Sequence, residues 1–295
     1  MGLDVKISAD DIERAFAPYV LQRFGADDPE WRSIVARLER KEQRRYDRFR
    51  RNELPPRDRE RIEEQYSVIW SRALDEHLAG RPTAFEWSRG ICLARSIARK
   101  RVHQLVLVKT LEAIAPRTVL EVGSGNGFNL LLLSSHFPGI RFDGLELTEA
   151  GTRAARELLW DRELPPAAEE FFVGSIRDRF AARRVGLARG TGAQLPYRGG
   201  AFDVVCTVLA LEQMESIRDA VLKELRRVAS RYVVMIEPFQ ELNADGMRRH
   251  YIASNQYFDA RIDALSRFGL RPVATFTDLP QKVQFHVGLV VAETV

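Results

Sequence analysis

The sequence is poor in cysteine and contains no long apolar run. Its 295 residues include two cysteines, Cys92 and Cys206, which lie far apart in apolar surroundings, so we expect reduced core residues. No segment approaches the roughly 18 uninterrupted apolar residues of a transmembrane helix, and the acidic, amphipathic beginning has no signal-peptide core. No pair of His, Cys or acidic residues has metal-ligand spacing. These absences predict a cytoplasmic protein without a membrane span or a metal site.

Positive charge is concentrated in one stretch of the chain. The formal net charge is only +4, but residues 37–61 read RLERKEQRRYDRFRRNELPPRDRER, in which arginines outnumber acids. This pattern is typical of a solvated helix with ion pairs along its face. It is equally compatible with an electropositive surface that attracts a phosphate-bearing or otherwise anionic substrate.

The first 115 residues have a helical periodicity. Apolar residues recur at helical spacing and are interrupted by Pro55-Pro56 and by Gly80. A last helix is expected from about residue 88 to residue 113, since residues 91–114 contain no breaker. We therefore predict an all-helical extension over residues 1–115, which covers the substrate or forms a dimer surface.

After Pro116 short apolar strands alternate with helices. This order requires crossover connections and hence a doubly wound, mostly parallel sheet. The last two strand patterns, 271–279 and 283–293, are too close in sequence for an intervening helix, so the final strand should be antiparallel to its neighbour. Residues 116–295 are thus predicted to form an α/β domain with a seven-stranded sheet that ends in an antiparallel hairpin.

A glycine-rich loop follows the first strand of this domain. It reads EVGSGNG over residues 121–127, at the carboxyl end of a strand, where doubly wound sheets bind ligands. A phosphate-binding P-loop is excluded because Phe128 and Asn129 stand where Lys and Ser or Thr are needed. A dinucleotide loop is one residue longer, and Glu121 would repel a pyrophosphate, whereas it suits a cationic group.

A second acid supports a nucleoside ligand. Glu146 lies at the end of the second strand, about twenty residues beyond the loop, where a carboxylate accepts both ribose hydroxyls. Taken alone it is equally compatible with a helix-capping acid.

Three segments together resemble the class I S-adenosylmethionine-dependent methyltransferases. They are VLEVGSGNG, GLELTEAG and GTGAQLPYRGGAFDVVCTVLALEQM, in the order and spacing of that family, and the resemblance covers roughly residues 117–293. It implies S-adenosylmethionine as cofactor, with Glu121 and the glycine backbone holding the methionine moiety, Glu146 the ribose and Leu147 the adenine. The implied cofactor-binding residues are Glu121, Gly123, Ser124, Gly125, Asn126, Gly127, Glu146, Leu147, Thr191, Gly192, Ala193 and Leu209.

One position departs from the family pattern. The segment before LPY normally carries an Asp that accepts from the adenine amino group, and here Thr191 stands in its place. The adenine contact is therefore expected to pass to a backbone amide near Ala193.

Candidate catalytic residues lie after the fourth and fifth strands. Glu212 follows the fourth strand in ALEQM, which resembles enzymes that act on small metabolites. Glu237 ends the fifth strand, and His250 and Tyr251 lie in the long connection 237–258, which we expect to line the substrate pocket. Methyl transfer from a sulfonium depends largely on positioning, and a general base helps when the acceptor is a hydroxyl with a high pKa, so no one catalytic residue is expected to be indispensable.

These observations predict methyl transfer to an oxygen or nitrogen of a small molecule, such as a sugar, nucleotide-linked or natural-product intermediate. Two alternatives stay open. One is an RNA or other macromolecule methyltransferase that uses the arginine-rich helices, and the other is a non-catalytic cofactor-binding subunit.

Overall fold

The computed structural model describes residues 3–160 and 163–295, and they form two sheets with flanking helices. The helices are α1 (Ala9–Phe16), α2 (Pro29–Arg50), α3 (Arg59–Trp70), α4 (Leu74–Ala79), α5 (Ile97–Ile114), α6 (Phe128–His136), α7 (Glu149–Trp160), α8 (Pro166–Phe171), α9 (Arg218–Val228) and α10 (Gly246–Asn255). The strands are β1 (Val20–Phe24), β2 (Pro82–Trp87), β3 (Gly90–Arg95), β4 (Thr118–Val122), β5 (Arg141–Glu146), β6 (Gly186–Arg189), β7 (Phe202–Val208), β8 (Ala229–Glu237), β9 (Leu270–Phe276), β10 (Gln281–Lys282) and β11 (Gly288–Thr294).

The larger sheet confirms the predicted α/β fold. Its seven strands run in the order β6-β5-β4-β7-β8-β11-β9. The pairs among β4 to β8 are parallel, and β11 is antiparallel to both β8 and β9. Strand order reverses between β4 and β7, so the ends of these two strands frame the crevice in which such sheets bind ligands.

Burial on both faces explains the apolar strand sequences. In β4 the side chains of Val119, Leu120 and Val122 are completely buried, and Val233 and Val234 of β8 are buried as well. Helices therefore cover both sides of this sheet, as near-continuous apolar runs require.

The prediction of an all-helical extension is wrong. Three strands of the amino-terminal region, with β10, form a second antiparallel sheet in the order β1-β3-β2-β10. Strand β1 stands in place of a longer first helix: α1 ends at Phe16, and the short turn Ala17–Tyr19 that follows contains Pro18, which does not continue an α-helix. The domain boundary near residue 115 stays a prediction.

The helix predicted from residue 88 begins only at Ile97. Trp87 pairs with Gly90 across a two-residue turn, so β2 and β3 form a hairpin. Gly90 has a φ of +128°, which suits glycine at this turn. In β3 the burial alternates, with Cys92 and Ala94 inward, which is the period of two of a strand.

The terminal hairpin has a longer connection than predicted. Strand β11 begins at Gly288, not at residue 283, and the antiparallel pairing with β9 is confirmed. Residues 281–282 do not belong to the larger sheet; they form strand β10, which pairs with β2. The connection between the last two strands therefore carries Lys282 into the second sheet, beside the ligand crevice.

Candidate active site

A cavity of about 620 Å³ opens at the carboxyl ends of β4, β5 and β7. The glycine loop forms one wall, and α3, α5 and β10 contribute side chains to the others. The residues from α3 are Arg59, Ile62, Tyr66, Ile69 and Trp70. The cavity therefore combines the sheet edge predicted from the sequence with elements of the amino-terminal region.

The glycine loop adopts backbone conformations that favour glycine. Gly123, Gly125 and Gly127 have φ values of +77°, +57° and +75°. A Cβ atom at Gly123 would lie 2.5 Å from Cβ of Ala210, and one at Gly125 would lie 2.5 Å from Cζ2 of Trp70. The loop thus leaves bare main chain facing the cavity.

Glu121 is buried at the bottom of the cavity beside the loop. Its Oε1 accepts a hydrogen bond of 2.7 Å from Asn129 Nδ2. Its Oε2 has no partner among the described residues, and neither does the buried Oγ of Ser124. Burial raises the pKa of Glu121 to about 7. A cationic group with hydrogen-bond donors fits this pair of unpartnered oxygens, as the methionine end of S-adenosylmethionine provides.

Glu146 has a structural role in addition to its predicted one. Its Oε1 accepts from both the backbone N–H and the hydroxyl of Thr148, at 2.9 and 2.7 Å. Its Oε2 accepts from the N–H of Gly125 at 3.0 Å. One lone pair of Oε2 is left for a ribose hydroxyl, so a bidentate interaction requires Glu146 to release a bond to Thr148.

The structure brings nearly all predicted cofactor residues to the cavity. The ones that line it are Glu121, Gly123, Ser124, Gly125, Asn126, Glu146, Leu147, Thr191, Gly192, Ala193 and Leu209. Gly127 does not line it; this residue precedes α6 and packs towards Leu159 and Ala155 of α7. At the departing position, Thr191 Oγ1 accepts from the N–H of Ala193 at 3.3 Å.

Of the four catalytic candidates, only Glu212 lines the cavity. Glu237 is fully buried, and it accepts from the backbone N–H groups of Ala210 and Leu211 at 3.0 and 3.1 Å. Glu237 was expected to face the substrate pocket, and this prediction is wrong. Its carboxylate instead binds the loop after β7 and fixes it in place.

His250 and Tyr251 also lie away from the cavity lining. Both belong to α10, which packs against α2. The ring of His250 stacks on Tyr46 of α2 at 4.3 Å, and Tyr251 packs against Phe285 at 5.3 Å. The expectation that this connection lines the pocket is wrong here, because helix packing turns these side chains into the interior.

The structure reveals a cationic group that sequence reasoning missed. Arg99 and Lys100 of α5 and Lys282 of β10 line the cavity together with His103. None of the three cations forms an ion pair within residues 3–160 and 163–295. The buried Nη1 of Arg99 and Nε2 of His103 have no hydrogen-bond partner there either. The sequence did contain a signal for these cations. Residues 99–101 are basic and lie in a largely apolar helix, and because such a helix is buried, its basic side chains are expected to face a cavity.

The cations are close enough to affect one another. The neighbouring guanidinium of Arg99, together with burial, lowers the pKa of Lys282 to about 7. Burial lowers the pKa of Lys100 to about 8. Burial and Arg99 hold the pKa of His103 well below its usual range, so its imidazole is neutral. Burial raises the pKa of Glu212. This end of the cavity therefore carries an excess of positive charge.

Two absences concern the part of the chain that the structure describes. Its helices include none with the length and apolar character needed to cross a membrane. The same residues contain no group of three or more His, Cys, Asp or Glu side chains that is arranged to hold a metal ion.

The strand order and the glycine loop define the class I methyltransferase fold, and comparisons with known proteins agree. Residues 120–234 match a family described as a methyltransferase domain. Magnesium protoporphyrin IX methyltransferase from Synechocystis PCC 6803, solved with bound S-adenosylhomocysteine, is 14% identical with a TM-score of 0.54, over 81% of this chain and all of the other. The cyclase SpnF has a TM-score of 0.53 at 12% identity, over 79% of this chain and 95% of its own. These two likenesses concern the fold alone.

A curated relative is similar over half of the chain. Malonyl-(acyl-carrier protein) O-methyltransferase of Laribacter hongkongensis is 32% identical over 145 residues, which are 49% of this chain and 43% of the relative. The chain thus spans less than half the length of this relative. Together with the site, these findings show a methyltransferase domain over residues 120–234, on the class I methyltransferase fold, with S-adenosylmethionine as its cofactor.

Proposed function

We propose that this protein methylates a carboxylate oxygen of a small or carrier-bound acid. The observation that carries the proposal is the pair of cations Arg99 and Lys282, which line the cavity and form no ion pair among the described residues. A charge removed from water needs a partner of opposite sign. A carboxylate that enters this end of the cavity supplies that partner, and a guanidinium is matched to it in shape.

Glu212 offsets only part of the positive charge. It is the one acidic side chain of the cavity on this side, and its Oε1 accepts from Gln213 Nε2 at 2.7 Å. With Arg99 and Lys282 charged and Glu212 ionised, the group keeps one positive charge. An acceptor with one carboxylate makes the ensemble neutral.

The residues present then explain why no general base is needed. A carboxylic acid with a pKa near 4 is ionised at neutral pH, so its oxygen is already a nucleophile. Arg99 and Lys282 hold this group in place, and the neutral His103 has an unpartnered Nε2 with which to contact an uncharged part of the acceptor. Trp70, against Gly125, covers the cofactor side and excludes water.

S-adenosylmethionine, when bound, supplies a methyl group activated by its sulfonium. Glu121, Ser124 and the glycine loop would hold its methionine end, and Glu146 the ribose. The name of the Laribacter hongkongensis relative, an O-methyltransferase of a malonyl group, agrees with a carboxylate acceptor. The cyclase with the same fold shows that the fold alone does not fix the reaction, so the side chains of the cavity must decide it.

The class of product provides a test that does not require the natural acceptor. Carboxyl methyl esters release methanol in mild alkali, whereas N-methyl groups and methyl ethers do not. The protein is incubated with S-adenosylmethionine labelled in the methyl group and with a panel of carboxylic acids, amines, alcohols and an RNA mixture. We expect label to be incorporated only into carboxylic acids, such as a malonyl thioester, and to be released as volatile methanol in alkali. Alkali-stable label from amines or RNA would overturn the proposal.

A further inference from the structure

A second cavity, of about 230 Å³, lies between α2, α3 and α10. It is lined by Arg45, Leu54, Pro55, Arg57, Arg61, Gln65, Ser254, Asn255, Gln256 and Tyr257. Three of these side chains are cationic, most others are uncharged hydrogen-bonding groups, and none is acidic. Since a water molecule occupies about 30 Å³, the cavity is large enough for an anion such as phosphate.

Two of the three arginines have no partner in the described chain. Arg45 and Arg61 are exposed and take part in no ion pair or side-chain hydrogen bond among residues 3–160 and 163–295. Neighbouring arginines elsewhere on the same helices do have acidic partners, as Arg59 does with Glu63 at 2.7 Å and Arg48 with Glu53 at 3.7 Å. Arg40 and Arg44 of α2 also have no acidic partner among these residues, so Arg45 and Arg61 are distinguished by lining this cavity together with Arg57.

Arg57 is held in place between the two cavities. Its Nε donates to Gln213 Oε1 at 2.7 Å and its Nη2 to Gln65 Oε1 at 3.2 Å. Its backbone N–H donates to Gln256 Oε1 at 3.1 Å, and its guanidinium lies 5.1 Å from the ring centre of Tyr257. Such fixed geometry lowers the entropy that a ligand contact costs.

We propose that this cavity, called here the arginine pocket, binds a phosphate group. Guanidinium groups recognise phosphate oxygens with paired, charge-assisted hydrogen bonds. Three converging arginines with amide and hydroxyl donors, and no acid, match a dianion better than any neutral ligand. The proposal gives a role to three of the arginines in the arginine-rich stretch 37–61.

The arginine pocket is one side chain away from the acceptor end of the main cavity. Gln213 accepts from Arg57 and donates to Oε1 of Glu212 at 2.7 Å, and both Gln213 and Glu212 line the main cavity. A phosphate bound at Arg57 therefore lies beside the main cavity, in reach of an acceptor that carries a phosphate group. A free phosphate would satisfy the same chemistry.

Binding of inorganic phosphate to the full chain tests the site directly. Phosphate is titrated at constant ionic strength, set with chloride, and followed by phosphorus NMR. We expect the double variant Arg45→Gln/Arg61→Gln to bind at least about tenfold more weakly. The control Arg267→Gln, an exposed arginine away from both cavities, should bind like the wild type. Equal binding by all three proteins would overturn the proposal, whatever the methyl acceptor is.

A displacement experiment identifies the source of the phosphate, and this arm alone rests on the proposed carboxylate acceptor. Malonyl-coenzyme A carries phosphates, and malonyl-N-acetylcysteamine carries none. If only malonyl-coenzyme A displaces the bound phosphate, the site holds a phosphate group of the acceptor. If neither compound displaces it, the site holds free phosphate. Displacement by both would overturn the phosphate assignment. Displacement by an RNA duplex, with a steep loss at higher salt, would assign the arginines to nucleic acid instead.

Discussion

The two halves of the main cavity are built in different ways. The cofactor half consists mainly of one loop, residues 121–127, and of the ends of neighbouring parallel strands. The acceptor half is assembled from Arg99, Glu212 and Lys282, which come from α5, from the segment after β7 and from β10 of the second sheet. A contiguous motif therefore positions the donor, and long-range folding positions the acceptor.

The two halves also differ in how far the match to the methyltransferase family covers them. The family match covers residues 120–234, which include the whole glycine loop and Glu212 but neither Arg99 nor Lys282. On the proposed function, acceptor specificity therefore depends on Arg99 and Lys282 outside the matched segment as well as on Glu212 inside it. Variants that affect one half and leave the other intact can test this division.

The largest effect is expected in the cofactor half, from Gly125→Val. The φ of +57° at Gly125 strains a β-branched residue, and its side chain would meet Trp70. We expect calorimetry to detect no binding of S-adenosylhomocysteine, while circular dichroism shows an intact sheet. The matched control is Gly139→Val, since a Cβ there meets nothing within 4 Å and no positive φ is required. Unchanged affinity in Gly125→Val would refute the assignment of the loop.

The same division explains which features the sequence predicted. The parallel direction of the strands was predicted from the alternation of strands and helices after Pro116, and the loop from three glycines close together in sequence. The strands β2 and β3 were missed because residues 88–96 contain no helix breaker except Gly90, and only burial reveals their period of two. Arg99 and Lys282 were missed because no local pattern relates residues that lie 183 positions apart, 282 minus 99.

The acceptor half should respond to the loss of either cation. In Arg99→Gln or Lys282→Gln the acceptor carboxylate loses a charge-assisted contact, worth about 10- to 100-fold in kcat/KM. We expect this loss with a malonyl thioester, while the affinity for S-adenosylhomocysteine stays unchanged. The controls Arg267→Gln and Lys223→Gln remove exposed cations elsewhere and should behave like the wild type. An equal loss of cofactor affinity would show that the two halves are not separate.

Cofactor affinity should depend on pH through Glu121. The pKa of this carboxyl is raised to about 7 by burial, and the ammonium group of the ligand binds its ionised form. Affinity for S-adenosylhomocysteine should therefore fall as the pH decreases, by about tenfold between pH 8 and pH 6. In Glu121→Gln we expect weak binding that is nearly constant over this range, and in Glu157→Gln, an exposed acid, the wild-type profile. A pH-dependent loss that persists in Glu121→Gln would assign the titration to another group.

The smallest effect concerns the strand that carries Lys282. Glu86 of β2 pairs with β10, and its carboxylate binds His286 Nε2 at 2.7 Å and Arg248 Nη1 at 3.2 Å. Together these partners outweigh burial and lower the pKa of Glu86 below its usual 4.5. Because the folded pKa is depressed, the stabilisation is present above about pH 4.5 and is lost as the pH falls through the folded pKa.

Since Glu86 is partly exposed, Glu86→Gln should lower the free energy of unfolding by only ~0.5–1 kcal/mol at pH 7. Urea titrations should show that the difference from wild type shrinks as the pH falls below about 4.5, whereas Glu157→Gln shows none at any pH. A difference that does not shrink in acid would mean that Glu86 acts through packing and not through its charge.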